Sequence, residues 1–155
     1  MTTHRILFVC LGNICRSPMA EGVFSHVAAE AGHAETFVIE SAGTGAWHIG
    51  NPPDPRAVAA ARARGIDLSA QRARQVHVKD FEAFDLVLAM DGSNHADLLQ
   101  MAPENHAHKI RLFLNHLPES GGREVPDPYY GGDDGFEAVL DLIEAGSRAL
   151  LARLT

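Results

Sequence analysis

Ile6-Leu7-Phe8-Val9-Cys10-Leu11-Gly12-Asn13-Ile14-Cys15-Arg16-Ser17-Pro18 is the stretch of the chain that indicates the fold most clearly. The apolar run at its start, residues 6–9, predicts a strand buried on both faces, as in a parallel sheet. Ser17 is a favoured N-cap residue and Pro18 a favoured first helical residue, so a helix is predicted to begin there. Cys10 then lies at the carboxyl end of the strand, below a loop that leads into a helix. Ligands bind at this position in open α/β sheets, so the stretch predicts an anion site.

The rest of the chain alternates strand and helix patterns. Apolar runs predict strands at residues 37–39, 86–89 and 110–114, and helical periodicity predicts helices at 19–31, 55–64, 79–84, 93–102 (capped by Ser93) and 134–154. This alternation predicts an α/β fold with a four-stranded parallel sheet, doubly wound, with helices on both faces. The length of 155 residues, without an internal repeat or a low-complexity linker, predicts one domain over residues 1–155.

Composition and charge narrow the classes of function. A net charge of -7 argues against nucleic acid as the main partner. No apolar run approaches the length of a membrane span, and the first residues lack a signal-peptide pattern. The two cysteines, five positions apart, cannot form a disulfide framework, which favours a reducing compartment. We therefore expect a cytoplasmic protein.

The loop after the first strand combines a nucleophile with groups that bind anions. A free thiol of pKa about 8.5 is only about 3% ionised at pH 7, and a helix N-terminus and Arg16 should stabilise the thiolate of Cys10. The same positive surroundings would bind a phosphate dianion, and the planar guanidinium adds bidentate recognition of its oxygens. Gly12 lets the backbone approach a ligand closely. A lone cysteine here would be interpreted as structural, but the full Cys-x5-Arg-Ser-Pro string predicts a loop that binds a phosphate and attacks it.

The segment Cys-Leu-Gly-Asn-Ile-Cys-Arg-Ser-Pro-Met-Ala-Glu, residues 10–21, closely resembles the signature of the low-molecular-weight protein tyrosine phosphatases. The resemblance covers nearly the whole chain, in the family's order and at the family's length. It continues through Ser41-Ala42-Gly43-Thr44, Asn51-Pro52-Pro53-Asp54, Arg74-Gln75, Met90-Asp91, Ser93-Asn94 and Asp127-Pro128-Tyr129-Tyr130. It implies the hydrolysis of phosphotyrosine in tyrosine-phosphorylated proteins.

The resemblance also implies a role for each residue of the motif. Cys10 attacks phosphorus to form a cysteinyl-phosphate, and Arg16 binds the equatorial oxygens in the transition state. Asp127 protonates the leaving phenolate and later deprotonates the attacking water. Asn13 and Ser17 hold the loop in shape, and no metal or other cofactor is required. The phosphate-binding loop comprises Leu11, Gly12, Asn13, Ile14, Cys15 and Ser17.

The residues alone also allow a choice between the two Asp-Pro pairs. Asp54-Pro55 is followed by a good helix-forming segment, which makes Asp54 a predicted N-cap. Asp127-Pro128 is followed by two tyrosines and two glycines, which do not continue a helix easily. Asp127 is therefore the better candidate for a proton donor near an aryl substrate, with a turn-forming aspartate as the open alternative.

Further side chains gain meaning only from the resemblance. Trp47, Tyr129 and Tyr130 are each more often packing residues, but together they are similar to the family's hydrophobic walls around a phosphotyrosyl ring. Cys15 could be a small core residue. In the family the second loop cysteine can instead form a reversible disulfide with the nucleophile, which protects it from over-oxidation. Asp91 resembles a residue that supports the family's loop, although it could equally cap a strand end.

One position departs from the family pattern, and three other functions have to be weighed against phosphotyrosine hydrolysis. Gln71 stands where many relatives have a histidine that supports the loop, and the nine scattered histidines suggest no metal site. An arsenate reductase would need cysteines beyond Cys15 for a disulfide relay. A protein-arginine phosphatase tends to have threonine where this chain has Leu11, and a pure binding module would need neither nucleophile nor acid. The oligomeric state is left open.

Overall fold

The computed structural model describes residues 3–117, 124–129 and 133–155. Strands and helices alternate along these ranges. The strands are β1 (His4–Cys10), β2 (Phe37–Gly43), β3 (Leu86–Ala89) and β4 (Ile110–Leu112). The α-helices are α1 (Arg16–Glu30), α2 (Pro55–Arg62), α3 (Asp80–Ala83), α4 (Gly92–Met101) and α5 (Asp133–Leu154), and two 3₁₀ helices cover Glu104–Lys109 and Phe113–His116.

The four strands form one parallel sheet in the order β2-β1-β3-β4. β1 lies between the strands that follow it in sequence, so the chain moves first to one side of β1 and then to the other. The loop after β1 therefore opens at the point where the strand order reverses, which is where doubly wound sheets bind ligands. The predicted fold class, a four-stranded parallel α/β sheet, is confirmed.

The sheet is covered on both faces, as the apolar run of β1 predicts. Alternate residues of β1 contribute to two separate cores: Phe8 belongs to the core beneath α1, α2 and α5, and Leu7 and Val9 belong to the core beneath α3 and α4. Phe8 is fully buried and meets Phe113 edge to face, with ring centroids 5.4 Å apart. The central strand is thus rigidly packed, and it ends at Cys10.

The start of α1 differs from the prediction that Ser17 caps the helix. The helix begins at Arg16, Cys15 occupies the N-cap position, and its side chain makes no capping hydrogen bond. The Ser17 hydroxyl instead contacts the Cys10 thiol inside the first turn. The predicted cap is therefore wrong, because the loop uses this hydroxyl and leaves the first amides of the helix available to an anion.

Other helix ends show one confirmed cap and one wrong one. Asp54 caps α2 as predicted, since its Oδ1 accepts a hydrogen bond of 2.8 Å from the Arg56 amide. Ser93 does not cap α4: the cap is Asp91, whose Oδ1 accepts from the Asn94 amide at 2.8 Å. The predicted strand at 110–114 ends at Leu112, and the second 3₁₀ helix begins at Phe113. Of the helices in the described ranges, none combines the length and the apolar character that crossing a bilayer requires.

Candidate active site

Cys10 lies at the carboxyl end of β1 with only 3% of its surface exposed. Its Sγ accepts a hydrogen bond from the Asn13 amide at 3.3 Å and lies 3.0 Å from the Ser17 hydroxyl. These donors, together with the N-terminus of α1, would stabilise a thiolate at this position. The loop that follows Cys10 therefore surrounds a potential nucleophile with hydrogen-bond donors.

Asn13 fixes the shape of this loop. It has a left-handed backbone, with φ of 57°, which asparagine tolerates better than most residues. Its Nδ2 donates to the Ser17 hydroxyl at 2.9 Å and to the Ser41 hydroxyl at 3.0 Å, and its Oδ1 accepts from the Arg74 amide at 3.0 Å. Because Ser17 accepts from Asn13, the Ser17 proton is left to point toward Cys10 Sγ or the more distant carbonyl of Ala42, at 3.4 Å.

The hydrogen-bond chain continues beyond the loop to Glu21 on α1. The Ser41 hydroxyl donates to Glu21 Oε1 at 2.7 Å. Burial raises the pKa of the Glu21 carboxyl, and the hydrogen bond from Ser41 offsets only part of this rise. Glu21 is the last residue of the quoted motif, but sequence reasoning assigned it no role in the site, because its connection to Cys10 runs through Ser41 on β2 and Asn13 in the loop.

Arg16 is buried beneath the loop, and its guanidinium is held by groups from distant parts of the chain. Nη1 donates to Asp91 Oδ2 at 2.6 Å and to the Val125 carbonyl at 3.0 Å. Burial would lower the pKa of Arg16, but the proximity of Cys10 and the hydrogen bond to Asp91 outweigh it and raise the pKa. Asp91 caps a helix, α4, rather than a strand end with one oxygen, and its other oxygen holds Arg16.

Asp127 reaches the same site from the segment 124–129. Its Oδ2 lies 3.5 Å from Arg16 Nη2, and its Oδ1 accepts from the Tyr129 amide at 3.0 Å. The side chain is 37% exposed, so a ligand can reach it. The turn-forming alternative and the site assignment are therefore compatible, since one carboxylate oxygen forms the turn and the other faces the guanidinium.

A cavity of about 420 Å³ brings the predicted residues together. Trp47 and Tyr129 stand at its mouth as exposed aromatic side chains, and Leu11 is also exposed there. His48 lies against Gly12 and was not singled out from the sequence. Tyr130, the third predicted cleft residue, lies outside the described residues. The cavity is lined by Cys10, Leu11, Gly12, Ile14, Cys15, Arg16, Trp47, His48, Asp127 and Tyr129.

Cys15 borders the same cavity but differs in character from Cys10. Both cysteines are free thiols, and Cys15 is 4% exposed. Burial, reinforced by the nearby Asp54 carboxylate, raises the pKa of the Cys15 thiol far above its usual range. Cys15 therefore stays protonated at neutral pH and is a poor nucleophile in the reduced protein.

Gln71, the departure from the family pattern, supports the site only indirectly. Its Nε2 donates to the Pro18 carbonyl at 3.1 Å, which lies in the first turn of α1. Its buried Oε1 has no hydrogen-bond partner within the described part of the chain. Across that same part, no three His, Cys, Asp or Glu side chains are grouped closely enough to hold a metal ion.

Comparisons with known proteins agree with this geometry. A family model described as low molecular weight phosphotyrosine protein phosphatase matches residues 5–155. A putative low molecular weight protein-tyrosine-phosphatase of Synechocystis is 45% identical over 97% of this chain and 96% of its own length. The low molecular weight phosphotyrosine protein phosphatase of Sus scrofa is 42% identical over 98% of this chain and 96% of its own.

Solved structures give the same result. The protein tyrosine phosphatase of Entamoeba histolytica, crystallised with Hepes in the active site, superposes with a TM-score of 0.94 at 39% identity, covering 98% of this chain and 97% of that one. YfkJ from Bacillus subtilis superposes with a TM-score of 0.93 at 42% identity, covering 99% and 96%.

Proposed function

The chain belongs to the low molecular weight phosphotyrosine protein phosphatase family, whose members are hydrolases of phosphotyrosine, and we propose that Cys10, Arg16 and Asp127 carry out its reaction. The observation that carries this proposal is the convergence of these three side chains on one cavity, although Asp127 lies far from the other two in sequence. The reaction proceeds through a cysteinyl-phosphate, as the family resemblance implies.

In the first half-reaction the Cys10 thiolate attacks phosphorus, and the bond from phosphorus to the phenolic oxygen breaks. The Ser17 hydroxyl and the Asn13 amide favour the thiolate before the attack. Asp127 donates its proton to the leaving phenolate, so that the tyrosine departs as a neutral phenol. General acid assistance of this kind is worth about 10²–10⁴ in rate.

Arg16 and the loop amides hold the transferring phosphoryl group. Asp91 and the Val125 carbonyl fix Nη1 of Arg16 from behind, which leaves the rest of the guanidinium directed toward the cavity. In the free protein Nη2 faces Asp127, and a bound phosphate would compete for that contact through its own oxygens. Charge developing on the equatorial oxygens is then met by donors that are already in place.

In the second half-reaction water attacks the cysteinyl-phosphate and releases inorganic phosphate and the Cys10 thiolate. Asp127, deprotonated in the first step, accepts a proton from this water. One carboxyl group thus acts as acid and then as base, which restores the starting state of the enzyme.

Family membership implies phosphoproteins as substrates, and we propose that tyrosine-phosphorylated proteins are the class selected here. Trp47 and Tyr129 flank the cavity, where they would contact a phenyl ring and place its phosphate at Cys10. Phosphoserine lacks the length and the flat surface for both contacts. We further propose a cytoplasmic setting, because a mechanism that depends on a free thiol suits a reducing compartment. We propose no nucleic-acid partner, because the net charge of the chain is -7.

The rival functions are not favoured. Arsenate reduction by a disulfide relay would need cysteines beyond the two that the chain contains. A guanidinium-phosphate substrate would meet Leu11, whose exposed side chain borders the cavity. The curated relatives described above are named as tyrosine phosphatases rather than as members of either rival class.

The deciding experiment compares wild type with Cys10→Ser on a labelled aryl phosphate. Wild type should hydrolyse the substrate, and a denaturing quench during turnover should leave the labelled phosphoryl group on the protein. Cys10→Ser should show neither hydrolysis nor bound label, but it should still bind a phosphotyrosine peptide. If wild type is inactive and only binds the peptide, the chain is a binding module and the proposal fails.

A further inference from the structure

We propose that Arg56 is a positioning residue that fastens the segment carrying Asp127 to the phosphate-binding loop, and that it acts on the reaction through Asp127. The proposal rests on the acid role given to Asp127 above. Arg56 lies in the first turn of α2 and does not line the cavity, so it is not a catalytic residue.

Arg56 contacts both the backbone carbonyl and the aromatic ring of Tyr129. Nη2 donates to the Tyr129 carbonyl at 2.9 Å. The guanidinium carbon lies 5.5 Å from the centroid of the Tyr129 ring and 4.8 Å from that of Phe136 on α5, within the range of cation–π attraction. These contacts fix the position of the residue two places after Asp127.

Tyr129 in turn orients the carboxylate. The Tyr129 amide donates to Asp127 Oδ1 at 3.0 Å, which leaves Oδ2 on the side that faces Arg16. Because the amide and the carbonyl of Tyr129 are both engaged, a displacement of this backbone would move the Asp127 carboxylate with it.

The other end of the connection reaches the phosphate-binding loop through Asp54. Arg56 donates from Nε to Asp54 Oδ1 at 3.1 Å and from Nη2 to Asp54 Oδ2 at 3.0 Å. Burial would raise the pKa of Asp54, but the hydrogen bonds from Arg56 outweigh it and lower the pKa, so the pair stays ionised at neutral pH. The Asp54 amide donates to the Ile14 carbonyl at 2.8 Å. A continuous path therefore runs from Ile14 through the Asp54–Arg56 pair to Tyr129 and Asp127.

The segment 124–129 has a second anchor on the other side of Asp127. Val125 bonds to Met90 at the end of β3 through its amide, at 2.8 Å, and to Arg16 through its carbonyl, at 3.0 Å. Val125 and Tyr129 thus hold the partly exposed Asp127 from both sides. A proton donor must stay within hydrogen-bond reach of the leaving oxygen, and a displacement of 1 Å can cost about 10²-fold in rate.

The chain offers a matched control on α2 and the residues that follow it. Arg64 also connects this region to another element, through ion pairs with Glu137 at 2.7 Å and Asp141 at 2.9 Å on α5. Arg64→Gln therefore removes a cation of the same kind and tests whether loss of such a contact, by itself, changes the kinetics.

The test measures kcat/KM for aryl phosphates whose leaving groups range from phenol to dinitrophenol. Arg56→Gln should lower the value for phenyl phosphate by about 10- to 10²-fold, with a much smaller loss for dinitrophenyl phosphate, which needs no acid. Arg56→Lys should recover only part of the loss, since one ammonium cannot reproduce the planar contacts to Asp54 and Tyr129. Arg64→Gln should match wild type on both substrates.

A double-mutant cycle separates this proposal from the proposed function. In an Asp127→Asn background, Arg56→Gln should cause no further loss on phenyl phosphate if Arg56 acts through Asp127. The proposal is overturned if Arg56→Gln causes its full loss again in the Asp127→Asn background, or if Arg56→Gln alone lowers kcat/KM equally for both substrates.

If the loss caused by Asp127→Asn does not depend on the leaving group, the acid role of Asp127 fails. If Asp127→Asn is sensitive and Arg56→Gln is not, only the role of Arg56 fails. Circular dichroism checks each fold, and Arg56→Lys supplies the same comparison if Arg56→Gln does not fold.

Discussion

Ser17 shows how one hydroxyl can serve chemistry instead of secondary structure. Its oxygen accepts from Asn13 at 2.9 Å and lies 3.0 Å from Cys10 Sγ. A serine at a helix start usually caps the helix, and that is what the sequence predicts. The structure instead places this hydroxyl beside the sulfur, where it can donate to a thiolate, and leaves the first amides of α1 without a side-chain cap.

Ser17→Ala should therefore slow the attack of Cys10 on substrate more than it reduces stability. Hydrogen bonds to charged groups contribute about 1.5–3 kcal/mol, so we expect roughly a 10- to 10²-fold loss in kcat/KM. The check compares variant and wild type in kcat/KM for an aryl phosphate and in the rate at which iodoacetate alkylates Cys10 at one fixed pH. Unchanged values of both would show that the hydroxyl does not activate the sulfur.

Cys15 gives a second prediction at this scale, about oxidation. Peroxide should oxidise the Cys10 thiolate to a sulfenic acid, which Cys15 then attacks to form a disulfide with loss of water. Because burial raises the pKa of Cys15, this second step should become faster as pH rises. Added thiol should restore wild-type activity after peroxide treatment but should restore much less in Cys15→Ser. Equal irreversible losses in the two proteins would refute a protective role.

Sequence reasoning identified the motif residues and, through the family resemblance, the distant Asp91 and Asp127, but it assigned no role in the site to Glu21 or Arg56. Cys10 and Arg16 were predictable because strand, loop and helix place them within one short segment. Glu21 and Arg56 were not, because their connections to the site depend on which strand and helix ends are adjacent in the folded sheet. No pattern along the chain states that the segment after Asp127 packs against the start of α2.

At the scale of elements, the end of β2 determines how closely the phosphate-binding loop can pack. The sequence predicts a strand over residues 37–39 only, but β2 continues to Gly43, which pairs with Cys10 on β1. A Cβ on Gly43 would lie 2.7 Å from the Leu11 carbonyl oxygen and 3.1 Å from the Asn13 amide nitrogen. This glycine is therefore required by the close approach of strand and loop rather than by a turn.

Gly43→Ala should displace the phosphate-binding loop from its active shape. The added Cβ would meet backbone atoms of Leu11 and Asn13, which cannot rotate aside as a side chain could. We expect a lower kcat/KM and a destabilisation of about 1–3 kcal/mol, as for other overpacked sites. Gly135→Ala is the control, since among the described residues its added Cβ meets Pro128 alone, at an ordinary contact distance of 3.7 Å. Activity assays and urea unfolding of the two variants provide the comparison, and equal effects would contradict the role assigned to Gly43.

At the scale of the whole molecule, the fold was more predictable than its element boundaries. The uninterrupted apolar run of β1 indicated a strand covered on both faces, and Phe8 and Leu7 do pack into opposite cores. The first residues of α1 and α4, and the residues that cap them, were not predictable. Ser17 and Asp91 make tertiary hydrogen bonds that a local sequence pattern does not reveal. We propose that residues 1–155 form a single domain, which is supported by the position of both cores against one sheet.

The free energy of unfolding should depend on pH partly through Glu21, because its carboxyl is largely buried in the hydrogen-bond network. Its pKa is raised in the folded state, so between the unfolded-state and folded-state pKa values the folded protein binds more protons than the unfolded chain. This contribution to the free energy of unfolding is therefore fully present below the unfolded-state pKa of about 4.3 and is lost as pH rises through the folded-state value.

Glu21→Gln removes this titration while keeping an oxygen that can accept from Ser41. Relative to the variant, wild type should lose stability as pH rises from about 4 toward 7, and the difference should then become constant above the folded-state pKa. Urea unfolding of both proteins across this pH range measures the difference in stability.

The same carboxylate lies at the end of the hydrogen-bond chain Ser41–Asn13–Ser17–Cys10. If Ser41 needs only a hydrogen-bond acceptor at this position, kcat/KM of the Glu21→Gln variant should stay close to that of wild type. A large loss of activity at neutral pH would instead show that the negative charge of Glu21 is needed to hold the phosphate-binding loop.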